Sequence, residues 1–123
     1  MNLINCKLES YVYVDNIQIM DYLLQDINGF DWDSGNTEKI ISKHDVSPIE
    51  AEQIFFNDPL LLMDDIKHSE SESRYHALGI TNDSRLLHIT FTLRSEGSLI
   101  RVISARSMHR KERKVYEQAQ KNT

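Results

Sequence analysis

Hydrophobic and polar residues alternate with a period of two through Leu86–Arg94. Leu87, Ile89, Phe91 and Leu93 fall on one side, and His88, Thr90, Thr92 and Arg94 on the other. That pattern predicts a strand with one face in a core and the other free for polar chemistry. Arg74–Ile80 precedes it across the turn cluster Thr81-Asn82-Asp83-Ser84. Leu99–Arg106 follows it across Ser95-Glu96-Gly97-Ser98. Connections this short predict an antiparallel meander of three strands. Leu99–Arg106 is apolar at both parities around Ile100, Val102 and Ile103, which predicts a strand buried on both sides. Leu60–Met63 reads as a further short buried strand and Tyr11–Val14 as a short one of no clear partner. The acidic, serine-rich stretch 64–73 reads as a loop.

The spacing changes upstream. Thr37, Ile40, Ile41 and His44 recur at helical intervals, predicting a helix capped by Asp33 or Ser34 that runs to about His44. Ser47-Pro48-Ile49-Glu50 combines serine at the N-cap, proline at the first helical position and glutamate at the third, a capping box. The helix it opens carries Ala51, Ile54 and Phe55 inward and ends near Asn57-Asp58-Pro59. A last helix is expected from a Ser107 cap through Lys121. Met108, Val115, Tyr116 and Ala119 would face the sheet, and Arg110, Arg113, Lys114, Glu117 and Lys121 would face away. The order is helix, helix, strands, helix. It predicts an α+β fold with two N-terminal helices and a C-terminal helix packed on an antiparallel meander.

Composition narrows the class. In 123 residues, 40% apolar and 27% charged content suit one globular domain, and ten aromatic residues argue against disorder. The longest apolar run, Pro59–Met63, is far below the ~18 residues of a membrane span, and Cys6 alone cannot form an internal disulfide. The lone cysteine and the absence of a secretory pattern point to the cytoplasm. Residues 1–19 match no clear pattern, so the reading divides the chain into an N-terminal extension, 1–19, and a domain, 20–123, with Met20 as an alternative start. The net charge of −5 is uneven. Residues 1–100 hold seven Lys/Arg against seventeen Asp/Glu, whereas residues 101–123 hold seven against two. An acidic body with a basic end suits two partners of opposite sign.

The polar strand face collects Arg74, His76, His88, Thr92 and Arg106, with His76 expected opposite His88. Such a surface suits a phosphodiester. Guanidinium groups bind phosphate oxygens in pairs and stabilise added charge, while a histidine or lysine moves a proton. Five histidines are present, none in a His-x-x-x-His pair, and there is no Cys-x-x-Cys. A metal would need a carboxylate near His76 and His88. No glycine-rich phosphate loop occurs.

From Gly29 onward the chain resembles the BrnT family of type II toxin–antitoxin ribonucleases. The resemblance rests on an ordered set of segments: Phe30-Asp31-Trp32-Asp33, Lys43-His44, Val46-Ser47-Pro48, Phe55-Phe56-Asn57, His68-Ser69, Arg74-Tyr75, Arg85-Leu86-Leu87 and Phe91-Thr92. It closes with Ile103-Ser104-Ala105-Arg106, Glu112-Arg113 and Tyr116. It implies a RelE-like fold, an endoribonuclease that halts translation and growth, and neither metal nor organic cofactor. It also implies a BrnA-like antitoxin that blocks the toxin and through which operator DNA is contacted. Carried onto this chain, it nominates Lys43, His44, Arg74, Thr92 and Arg106 as catalytic. Arg101, His109, Arg110, Lys111, Arg113 and Tyr116 become candidate RNA contacts. Many relatives have glycine after Lys-His, where this chain has Asp45. The competing reading is a catalytically inactive module that binds a basic partner protein. A protein binding DNA alone is disfavoured by the acidic total and the lack of a helix-turn-helix pattern.

Overall fold

The structure is a computed structural model that describes Val12–Tyr13 and residues 22–65 and 71–122. Met20 as a start and the His68-Ser69 segment lie outside the described residues. The strands are β1 (Val12–Tyr13), β2 (Gly29–Phe30), β3 (Leu61–Asp64), β4 (Arg74–Ile80), β5 (Leu86–Arg94) and β6 (Leu99–Ser107). The helices are α1 (Ser34–His44), α2 (Pro48–Gln53) and α3 (Arg110–Lys121), with single 3-10 turns at Tyr22–Leu24 and Ile54–Phe56.

The sheet has six strands in the order β1-β3-β4-β5-β6-β2. The expected β4-β5-β6 meander is at its centre, and every neighbour pair is antiparallel except β2 with β6. That parallel edge corrects the purely antiparallel expectation. Gly29 and Phe30 reach β6 from the N-terminal side and lead directly into α1, so they run alongside it. Val12 and Tyr13, from the stretch set apart as an extension, pair with Leu62 and Leu61 at the other edge.

A second correction concerns β6. It is not buried on both faces. Thr90 pairs with Ser104 and Phe91 with Val102, so Ile103 is an extra residue in a bulge. The bulge resets the alternation: Ile100 and Val102 are buried before it and Ala105 after it. A third correction concerns the histidines. His76 pairs with Thr90, and His88 with Leu78, so the two are offset by one step on the same face. Their rings still lie 4.9 Å apart.

Helices cover both faces. Against α1, α2 and the turn after it pack Leu62, Ala77, Leu87, Ile89, Phe91, Ile100, Val102 and Ala105. Gly79 lets Ile54 rest directly on β4, since a Cβ there would sit 2.6 Å from Ile54 Cβ. Against α3, on the opposite face, pack Leu61, Leu78, Ile80 and Leu86. α3 therefore covers only one end of that face and leaves the other end to polar groups.

The caps follow the sequence closely. Asp33 caps α1 by accepting from Asn36 N–H at 2.8 Å, and Ser47 and Glu50 form the capping box of α2. α1 stops at Asp45, whose φ of 54° is left-handed and whose N–H donates to Ile41 O. That is the conformation glycine favours at a helix C-terminus. α3 starts at Arg110 with His109 as cap, not at Ser107, because β6 continues through Ser107.

Candidate functional site

Where the first turns of α1 run beside β6, Gly35, Asn36 and Lys39 of α1 meet Arg74, Arg94, Arg101, Val102 and Ile103 of the sheet, with Glu72 just before β4. Together they line a cleft of about 350 Å³. The sheet register explains the convergence. Arg74, Thr92 and Arg101 form one cross-strand row, and Arg94 lies one step further on the same face of β5. The Ile103 bulge is what brings Arg101 into this row. Asn36 fixes α1 to the bulge by donating from Nδ2 to Val102 O at 2.8 Å.

Two cations of the cleft, Arg94 and Arg101, are held by acidic neighbours. Arg101 donates to Asp31 O at 3.1 Å and to Asp33 Oδ2 at 2.9 Å. Arg94 faces Glu72, at 3.3 Å from Nε to Oε2, and Asp31 at 3.8 Å. The Asn36 N–H, followed by the Arg101 guanidinium, holds the Asp33 carboxyl below the usual carboxylate range. Thr92 is buried beneath, and its hydroxyl donates to Ser73 O at 2.6 Å. It thereby anchors the chain just before Arg74.

Next along the same face is a row made of His76, Thr90 and Ser104, and after it one containing His88 and Arg106. His76 Nε2 lies 3.0 Å from Asp65 Oδ2 and its Nδ1 lies 3.0 Å from Thr90 Oγ1. A carboxylate does approach this histidine, yet among the described residues no group of three or more His, Cys, Asp or Glu is placed to hold a metal ion. Burial, helped by the Arg106 charge, pushes the His88 imidazole down to about 3, so it is neutral. Arg106 turns its fork onto Glu112 of α3, at 2.8 and 2.9 Å. Burial would raise the Glu112 carboxyl. The Arg106 bonds and the His109 N–H at 2.8 Å outweigh it and bring the group to about 2.

The sequence-nominated residues thus divide. Arg74 and Arg101 come together in the cleft. Lys43 and His44 are at the far end of α1. Lys43 is exposed and one helical turn beyond Lys39 on the same stripe as Asn36. The carbonyls of His44 and Asp45 accept from Arg85, which also reaches Glu50. Arg106 locks α3 to the sheet. His109, Arg110, Lys111 and Arg113 are exposed at the start of α3, with Arg113 also donating to Met108 O. Tyr116 is corrected: its ring has no exposed surface for stacking a base, and its hydroxyl donates to Pro59 O at 2.6 Å, which pins α3 down. Sequence reasoning passed over Lys39, Arg94 and Glu72. The helical spacing of Lys39 to Lys43 and the shared parity of Arg94 with Thr92 were the signals for the first two. Nothing in the sequence pointed to Glu72.

A family model described as "Ribonuclease toxin, BrnT, of type II toxin-antitoxin system" matches residues 32–112, more than half of the chain and all of the cleft. No curated protein matches the chain.

Proposed function

Because the chain belongs to the BrnT family of ribonuclease toxins, we propose that the cleft of Lys39, Arg74, Arg94 and Arg101 is where it binds and cuts RNA. The carrying observation is the convergence of four cations from α1, β4, β5 and β6 in a protein whose net charge is −5. A phosphodiester bound there gives Arg74 and Arg101 an anion to grip. The same guanidinium groups stabilise the extra negative charge when a ribose 2′-oxygen attacks phosphorus. The reaction forms a 2′,3′-cyclic phosphate and a 5′-hydroxyl and needs no metal. Lys43, on the same stripe of α1, extends the track for the backbone at one side. His109, Arg110, Lys111 and Arg113 extend it at the other.

Purified protein, single-stranded RNA and EDTA test this. The expected result is cleavage with cyclic-phosphate or 3′-phosphate ends, reduced at least 100-fold in Arg74→Ala and Arg101→Ala. Absence of cleavage by the wild type, or equal cleavage by both variants, refutes it. A BrnA-like antitoxin is the partner implied. Its basic surface would meet the acidic body, and co-expression would relieve growth arrest. The inactive-module reading draws on one observation, that Arg94 and Arg101 already carry internal acidic partners. Expression without the antitoxin separates the two, since a harmless protein favours the module.

A further inference from the structure

Among the described residues, Glu72 is the one carboxylate that lines the cleft. It is set side-on against Arg94, with Oε2 3.3 Å from Nε and Oε1 3.4 Å from Nη2, and 37% of its side chain is open to solvent. It sits two residues before Arg74, whose strand Thr92 anchors through Ser73 O. The other candidates for taking a proton are worse placed. His76 spends both ring nitrogens, on Asp65 and Thr90. Asp33 caps α1 with Oδ1 and holds Arg101 with Oδ2. A carboxylate at the rim of an arginine cleft meets the 2′-hydroxyl that arrives with the phosphate the arginines bind.

On the ribonuclease reading just given, we infer that Glu72 is the general base of the cleavage and that Arg94 positions it. A Glu72 oxygen takes the proton as the 2′-O–H bond breaks. The 2′-oxygen bonds to phosphorus, the bond from phosphorus to the 5′-oxygen breaks, and that oxygen takes a proton from water. Glu72 then returns its proton to solvent, so the step closes without any co-reactant. General-base catalysis of this kind contributes about 10²–10⁴ in rate.

The test compares wild type, Glu72→Gln and Glu72→Asp. Single-turnover cleavage is measured on one single-stranded RNA, and affinity on the same oligonucleotide with a 2′-deoxyribose at the cut site. Glu72→Gln should cut at least 100-fold more slowly yet bind as tightly as wild type or more so, since it removes a negative charge from a phosphate site. Glu72→Asp, with a shorter carboxylate, should fall between. Cleavage by Glu72→Gln within about threefold of wild type, or faster, overturns the assignment. So does a loss of rate matched by an equal loss of affinity, which would mean that Glu72 acts only by packing Arg94. If wild type leaves RNA intact, the ribonuclease reading itself falls and takes this one with it. If wild type cuts and Glu72→Gln cuts equally well, only the role of Glu72 falls.

Discussion

Replacing Glu112 by alanine removes three hydrogen bonds from one carboxylate that is only 8% exposed: two from Arg106, at 2.8 and 2.9 Å, and one from His109 N–H, at 2.8 Å. Breaking a buried ion pair from one side costs about 3–5 kcal/mol. Arg106 is 23% exposed and keeps Ser107 O, so the lower end applies to the pair, and the lost cap is part of it. The depressed carboxyl reflects the same bonds. A carboxyl lowered from 4.5 to about 2 contributes about 3 kcal/mol when ionised in the fold. Glu112→Ala should therefore lose about 3 kcal/mol in urea unfolding at pH 7, or about 12 °C in Tm at this chain length. Because the folded pKa is depressed, that contribution is complete above pH 4.5 and fades as pH falls toward 2. The gap between wild type and variant should then narrow below pH 4.5. A loss under about 1 kcal/mol at pH 7, or a gap that stays constant down to pH 3.5, would refute the reasoning.

His88 adds to acid sensitivity with the same sign. Its pKa is depressed from 6.5 to about 3, so its share of stability is present above pH 6.5 and is lost as pH falls. His88→Gln should flatten the stability profile between pH 6.5 and 4 in a urea series. Gly79→Ala should cost about 1–3 kcal/mol in the same assay, because the new Cβ would lie 2.6 Å from Ile54 Cβ, an overpacked contact. Asp45→Gly should raise stability by up to about 1 kcal/mol by relieving a left-handed position at φ 54°. Arg74→Ala and Arg101→Ala should each lower the slope of log affinity for single-stranded RNA against log salt by about 0.7, the value for one lost phosphate contact.

Most of the fold was legible because its signals are local. The Ser47–Glu50 capping box, the Asp33 cap and the period-two alternation of β5 involve residues within a turn or a strand of one another. The misreadings were of long-range or register-level features. The apolar run Val102-Ile103 looks like two buried faces, whereas it is one face with an inserted residue, and only the partner strand shows the difference. β2 has two residues and pairs in parallel across the length of the chain, which leaves no periodicity to detect. Arg106 looked like a phosphate ligand on the strand pattern. Its fork goes to Glu112 because α3 turns back over that end of the sheet. Tyr116 matched the family by position, and its burial against Pro59 depends on the same turn. The cleft was half legible. Arg74 and Arg101 were nominated, while Glu72 sits in a serine-rich acidic stretch where composition gives no reason to prefer one carboxylate.

The split of charge along the chain takes on a different meaning once the cleft is built. Part of the acidic body has an internal role. Asp31, Asp33 and Glu72 hold Arg94 and Arg101 on an open sheet face, where unpaired guanidinium groups would be free to swing into solvent. These carboxylate side chains are 35%, 59% and 37% exposed. Ion pairs so open to water contribute little to stability, and a released carboxylate is rehydrated rather than stranded. A phosphate that bound Arg74 and Arg101 at once would form stronger, bidentate bonds and could replace the Arg101 pairs at small cost, leaving Glu72 on Arg94. The buried pair of Arg106 with Glu112 differs in kind. Breaking it strands a carboxylate and loosens α3, so on the proposed reading a phosphate would replace it only at a high cost. Exposure, more than position in the sequence, separates the arginines poised for a ligand from the one committed to the fold.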